Sequence, residues 1–175
     1  MNIISKPILF IFSGLPASGK TTLAKLLAKR YNATYLRIDT IEQAIRYLCH
    51  FDVQGEGYRL SYRVASDNLQ IGNNVVADSC NPITLTRREW EKVAIDNKCR
   101  FINIEVVCSN IEEHKKRATK RLADIKDFVL PTWNEIQGQQ YDPWIEKRIK
   151  IDTANKTIED SINELYDKID SSNSI

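Results

Sequence analysis

Eight consecutive residues constrain this chain more than any other feature. Gly14-Leu15-Pro16-Ala17-Ser18-Gly19-Lys20-Thr21 fits the spacing G-x-x-x-x-G-K-[ST] at every fixed position. An uninterrupted apolar run, Ile8 to Phe12, precedes it, and Leu23, Leu26 and Leu27 recur at helical spacing after it. Such runs form strands buried on both faces of a parallel sheet. The local reading is therefore strand, turn, helix. In that context a glycine-rich turn lets backbone N–H groups converge on an anion. The helix that follows aims its positive end at the same point. Lys20 adds a mobile charge for outer phosphates, and the Thr21 hydroxyl is placed to bind a Mg²⁺ ion bridging them. The segment through Thr22 is expected to hold nucleotide phosphates.

The rest of the chain repeats the alternation. Short apolar segments at Thr34–Ile38, Asn74–Ala77, Phe101–Val107 and Arg148–Ile151 alternate with helix-like stretches, the last being Thr157–Ile169. That order predicts an α/β fold with a parallel sheet covered on both faces. At 175 residues the chain is expected to be one domain able to bury a core without staples. Lys and Arg total 25 against 23 Asp and Glu, a formal charge of +2, which weakens the case for a dedicated duplex-DNA binder. Four dispersed cysteines without a C-x-x-C pair, and only two histidines, make zinc binding a poor fit and point to a reducing, cytoplasmic setting. No segment reaches the length of a membrane helix. Residues Met1 to Ile11 read as the lead into the first strand rather than a leader peptide.

Ligands gather beyond the carboxyl ends of strands in open parallel sheets, and three further strands end in an acid: Asp39, Asp78 and Asp152. Asp39 is either a base that orients an acceptor hydroxyl and takes its proton or an N-cap residue. Thr40 could open the following helix, and Arg46, two turns along it, is expected back on the side of Asp39. Asp78 is a candidate for gripping Mg²⁺ through water or for contacting the acceptor. Asp152 reads better as a cap. In the one basic run, His114 to Arg121, Arg117 and Arg121 are four residues apart and are expected to share a helix face and clamp transferring phosphates. Trp90 reads as core. Trp133, Tyr141 and Trp144 read chiefly as packing, with an acceptor pocket as the alternative.

On these residues the chain resembles the small P-loop kinases grouped with the zeta-toxin-like and AAA-type predicted kinases. The resemblance runs nearly end to end, through Gly14–Thr22, Arg37-Ile38-Asp39, Val75–Ser79, the Arg117 and Arg121 pair, Pro131-Thr132-Trp133, Tyr141–Trp144 and Ile149–Thr153. It implies a five-stranded sheet of order 2-3-1-4-5 and a small mobile helical lid at about residues 112–145. It also implies ATP with Mg²⁺ as phosphoryl donor and a small hydroxyl-bearing acceptor near Asp39. Relatives of this group phosphorylate antibiotics, sugar acids, nucleotide-sugars, adenylyl sulfate or nucleic-acid ends, and the fold does not choose among them. A polynucleotide kinase and a nucleotide-binding regulatory or toxin-like module are the competing readings. No long acceptor-binding insertion and no ring-forming motor segment is evident in the sequence.

Overall fold

The computed structural model describes residues 6–172. Five strands, β1 (Ile8–Ser13), β2 (Thr34–Arg37), β3 (Val75–Asp78), β4 (Arg100–Val107) and β5 (Ile149–Asp152), form one sheet in the order β2-β3-β1-β4-β5. Every neighbouring pair is parallel. Among the described residues seven helices follow in chain order: α1 (Lys20–Arg30), α2 (Ile38–Cys49), α3 (Glu56–Gln70), α4 (Thr84–Asp96), α5 (Ile111–Lys120), α6 (Trp133–Gly138) and α7 (Ile158–Ser172).

The central strand shows why the sheet needs helices on both sides. Side chains alternate across a strand, and β1 is apolar at both parities. Phe10 and Phe12 join Leu23, Leu27, Leu165 and Ile169 on the α1–α7 face. Leu9 and Ile11 join Ala65, Leu69, Trp90 and Ala94 on the α3–α4 face. All four β1 side chains are fully buried. Each contributes about 1.5–3 kcal/mol by leaving water. Trp90, expected in the core, stands edge-on to the Tyr62 ring with centroids 4.6 Å apart.

The strand order reverses at β1, because β3 lies on one side of it and β4 on the other. A crevice opens at such a point beyond the carboxyl ends of the strands, and the Gly14–Thr21 turn lies there. Gly14 N–H donates to the Cys80 carbonyl at 3.0 Å, tying the turns after β1 and β3 together. Gly14 has φ +141, and a Cβ there would stand 2.1 Å from the Val106 carbonyl oxygen, so only glycine fits.

Two boundaries differ from expectation. Helix α2 begins at Ile38, not Thr40, because Ile38 turns inward to the core and Arg37 becomes the extended residue before the helix. Helix α5 ends at Lys120, and Arg121 has extended backbone (φ −67, ψ 145). The two helix-like stretches between β2 and β3 form α2 and α3, and Gly57 of α3 approaches α2 so closely that a Cβ would meet the Glu42 side chain at 2.2 Å.

Candidate active site

The phosphate-loop reading rests on local geometry. Gly19 precedes α1 in a left-handed conformation (φ 98) and Ala17 also has positive φ. No acid occupies the first turn of α1 and no side chain caps it, so its N–H groups are free for an anion. The loop opens on a cavity of about 500 Å³, lined by Pro16, Ala17, Gly19, Lys20, Thr21 and Thr22 among others. Gly14, Leu15 and Ser18 frame the loop from behind: Ser18 N–H donates to the Leu15 carbonyl at 3.3 Å, and the buried Ser18 hydroxyl has no partner.

Cations converge on this cavity. Lys20 is buried, with its ammonium 3.9 Å from Asp78. Burial opposes its charge, but Cys80, Asp78 and Asp39 around it raise its pKa above the ordinary range, so Lys20 remains protonated. Arg121 lines the cavity, and its buried Nε has no partner. Burial lowers its pKa, against the pull of Asp39. Arg37, which sequence reasoning treated only as part of a strand end, is the third. It donates to Asp124 at 2.8 Å, and its Nε, 4.0 Å from Asp39, makes no hydrogen bond. Unpartnered buried guanidinium nitrogens cost free energy unless an anion arrives.

Arg117 behaves differently. It reaches the cavity from the last turns of α5 but donates to the Thr153 hydroxyl at 2.7 Å and to the Thr153 carbonyl at 2.9 Å. It also pairs with Glu113. Arg117 and Arg121 both line the phosphate-loop cavity, but the helix ends between them: Arg121 follows the last helical residue, its N–H still bonded to the Arg117 carbonyl, and Arg117 is held by Thr153. Behind Arg117 a smaller cavity of about 230 Å³ is lined by Gly19, Thr22, Thr153 and Lys156.

The acids take distinct places. Asp78 is almost fully buried and accepts from the Tyr35 hydroxyl at 2.7 Å, so it faces Lys20 from beneath rather than lining the cavity wall. Asp39 is not an N-cap: it lies in the first turn of α2, and Arg37 occupies the cap position without a side-chain bond. Asp152 locks the β5 turn through Ser109 N–H and Ala154 N–H, both at 3.0 Å. Arg46 is corrected. It pairs with Glu42 one turn back at 3.4 Å and does not line either large cavity.

A second cavity of about 860 Å³ lies between α2, α3 and the start of α4. Its walls include Ile38, Tyr58, Tyr62, Pro82 and Ile83, with Glu42, Arg59, Arg63 and Glu89 among the charged groups. Asp39, Cys80 and Gln139 line both this cavity and the phosphate-loop cavity. No local motif announces these residues, because three successive helices and the segment after α6 assemble the space. The aromatic turn at 141–144 turns out to be packing. Arg87, fully buried, stacks on Trp144 at 4.1 Å and donates to the Asp142, Pro143, Asn81 and Pro82 carbonyls. Trp133 stands edge-on to His114, whose Nε2 is 2.8 Å from the Pro16 carbonyl.

Residues 9–142 match the family described as AAA domain. The chain belongs to that family. Among curated proteins it is 21% identical to a cytidylate kinase of Fusobacterium nucleatum subsp. nucleatum, with 93% of this chain and 97% of the relative covered. Among solved structures it resembles the APS kinase CysC of Mycobacterium tuberculosis, seen with AMPPNP and APS, at TM-score 0.70 and 19% identity over 95% of this chain and 99% of that one. A gluconokinase of Sinorhizobium meliloti 1021 matches at TM-score 0.64 and 16% identity, covering 91% of this chain and 90% of that one. The fold is that of the small P-loop kinases. No described helix is long and apolar enough to cross a membrane.

Proposed function

We propose that this protein transfers the terminal phosphoryl group of ATP to a hydroxyl of a small molecule. One observation carries the reading: the phosphate-loop cavity and the larger second cavity meet at Asp39, Cys80 and Gln139. A donor in the first and an acceptor in the second would face each other across that junction, as in-line transfer requires.

The residues divide the work. The free N–H groups at the start of α1 and the Lys20 ammonium bind the phosphates. Thr21 would hold Mg²⁺, which neutralises charge on the outer phosphates when bound, and Asp78 would support it through water. The residues fit that ion with its nucleotide: a bare helix start, a buried ammonium and orphaned guanidinium nitrogens face the same space. Asp39 orients the acceptor hydroxyl and takes its proton. Arg121, helped by Arg37, steadies charge that grows during transfer. Arg117, fastened to Thr153 beside the small rear cavity, serves the base end of the nucleotide rather than its phosphates.

A second reading has its own support. Arg37 and Arg121 flank the junction, and such a pair would also suit a phosphate acceptor, as in the relative named cytidylate kinase. An ionised phosphate needs no base, so the two readings part at Asp39. The test of the main reading is a metabolite pool incubated with ATP and wild-type protein, then with Lys20→Ala. A phosphorylated product formed only by wild type supports it. Equal product with Lys20→Ala, or none from wild type that binds ATP, refutes it.

A further inference from the structure

We propose that the second cavity is shaped for an acceptor that is an organic anion, with its hydroxyl at Asp39, a flat ring against Tyr58 and Tyr62, and its negative group held by Arg59 and Arg63. This deepens the kinase reading of the same site and rests on it.

The ring surface is preformed. Tyr58 and Tyr62 stand one helical turn apart on α3, with centroids 6.2 Å apart. The Tyr58 oxygen accepts from Asn81 N–H at 3.2 Å, and the Tyr62 hydroxyl donates to the Thr86 carbonyl at 3.5 Å. Trp90 backs Tyr62 from the core. Rings anchored at their polar tips hold fixed positions in the cavity wall, their planes 58° apart, and aromatic side chains favour planar or ring-shaped partners, stacked on one ring and edge-on to another. Ile38 and Ile83 add apolar wall. A volume of about 860 Å³ admits a ring with substituents.

The charge argument turns on which lining groups are already satisfied. Asp39 faces Arg37 at 4.0 Å, and Glu42 pairs with Arg46 at 3.4 Å. Arg59 and Arg63 are four residues apart on α3 and therefore neighbours. Both line the cavity, and among the described residues neither side chain makes a hydrogen bond or ion pair. The Glu56 carboxylate near Arg59 is already taken by the Gln54 and Gly55 N–H groups. Three acids and two arginines line the cavity, but Asp39 and Glu42 stand on α2 beside Arg37 and Arg46, which leaves Glu89 as the lining acid without such a neighbour among the described residues. The uncompensated positive charge is therefore local to the α3 rim, where two planar guanidinium groups suit a carboxylate, sulfate or phosphate.

Three probes of one shape isolate the charge: para-(hydroxymethyl)benzoate, para-benzenedimethanol and para-(hydroxymethyl)benzylammonium. Ligand-observed NMR would measure their binding to the protein holding a non-hydrolysable ATP analogue. The benzoate should bind at least about tenfold more tightly than the neutral or cationic probe. Arg59→Ala with Arg63→Ala should erase that preference without altering nucleotide affinity, and the paired Lys substitutions should restore part of it. Both arginines are exposed, so the variants should fold. Equal or tighter binding of the neutral or cationic probe, no binding of any probe, or an unchanged preference in the double Ala variant overturns the proposal. Phosphoryl transfer separates it from its parent reading. ATP-dependent phosphorylation of neutral alcohols, indifferent to both arginines, keeps the kinase and discards the anionic class. An arginine-dependent preference for the benzoate, with no transfer to any anionic alcohol, discards the kinase and keeps the anion site.

Discussion

Replacing Asp39 by Asn separates chemistry from architecture. The substitution keeps shape and removes the base. Structurally it should be mild. Asp39 makes no capping bond, so what is lost is a favourable charge in the first turn of α2, worth about 0.3–1 kcal/mol. Its 4.0 Å approach to Arg37 is partly solvated and adds about 0–1 kcal/mol. A loss near 1 kcal/mol lowers the melting temperature of a domain this size by about 2–4 °C. The chemical effect should be far larger. A positioned base accounts for roughly 10²–10⁴-fold in rate, which at about 1.36 kcal/mol per tenfold is about 2.7–5.4 kcal/mol of barrier. The assay pairs calorimetric ATP titration with steady-state kinetics on the acceptor found in the metabolite screen. ATP affinity near wild type with turnover down by two or more decades is the expected result. Wild-type turnover on that acceptor would refute the base assignment and favour a phosphate acceptor.

Other substitutions probe neighbouring parts. Thr21→Ala should act through Mg²⁺, so raising the metal concentration should partly restore turnover, and a flat Mg²⁺ titration would remove that role. Arg121→Ala should depress kcat more than it raises either KM, whereas Arg117→Ala, by releasing Thr153, should chiefly weaken nucleotide binding. Identical kinetic profiles for the two variants would cancel the division between them. Gly14→Ala should destabilise by about 3 kcal/mol or more, since the added Cβ meets the Val106 carbonyl at a φ that L-residues avoid. An unchanged chemical-denaturation midpoint would contradict that geometry.

What the sequence revealed divides by how local the physics is. The phosphate loop was legible because eight adjacent residues carry its whole mechanism, and Ile8 to Phe12 and the α1 leucines supply its context. Asp78 was legible because a strand closing in an acid is a local pattern, and Asp39, read the same way, stands two residues past its strand in the first turn of α2. Arg46 misled because helical spacing says which side a residue faces but not which neighbour captures it, and Glu42 lies one turn nearer. Arg121 reaches the phosphate-loop cavity as expected, although it stands one residue past the last helical residue, Lys120. The acceptor side stayed hidden for a different reason. Tyr58, Arg59 and Arg63 of α3 meet Glu89 of α4 and Gln139 only when α2, α3, α4 and the segment after α6 close around one space. Arg37 looked like an ordinary polar residue in a strand, and its value comes from standing opposite Asp124 and Asp39.

The central claim is that the nucleotide lies in the phosphate-loop cavity with its terminal phosphate facing the second cavity. A crystal structure with a non-hydrolysable ATP analogue and Mg²⁺ tests it directly. The account predicts the outermost phosphate between Lys20 and Arg121, directed at the Asp39–Cys80–Gln139 junction, with the base beside Arg117 and Thr153. A nucleotide seated among Tyr58, Tyr62 and Arg59, or one whose terminal phosphate points away from Asp39, would contradict it.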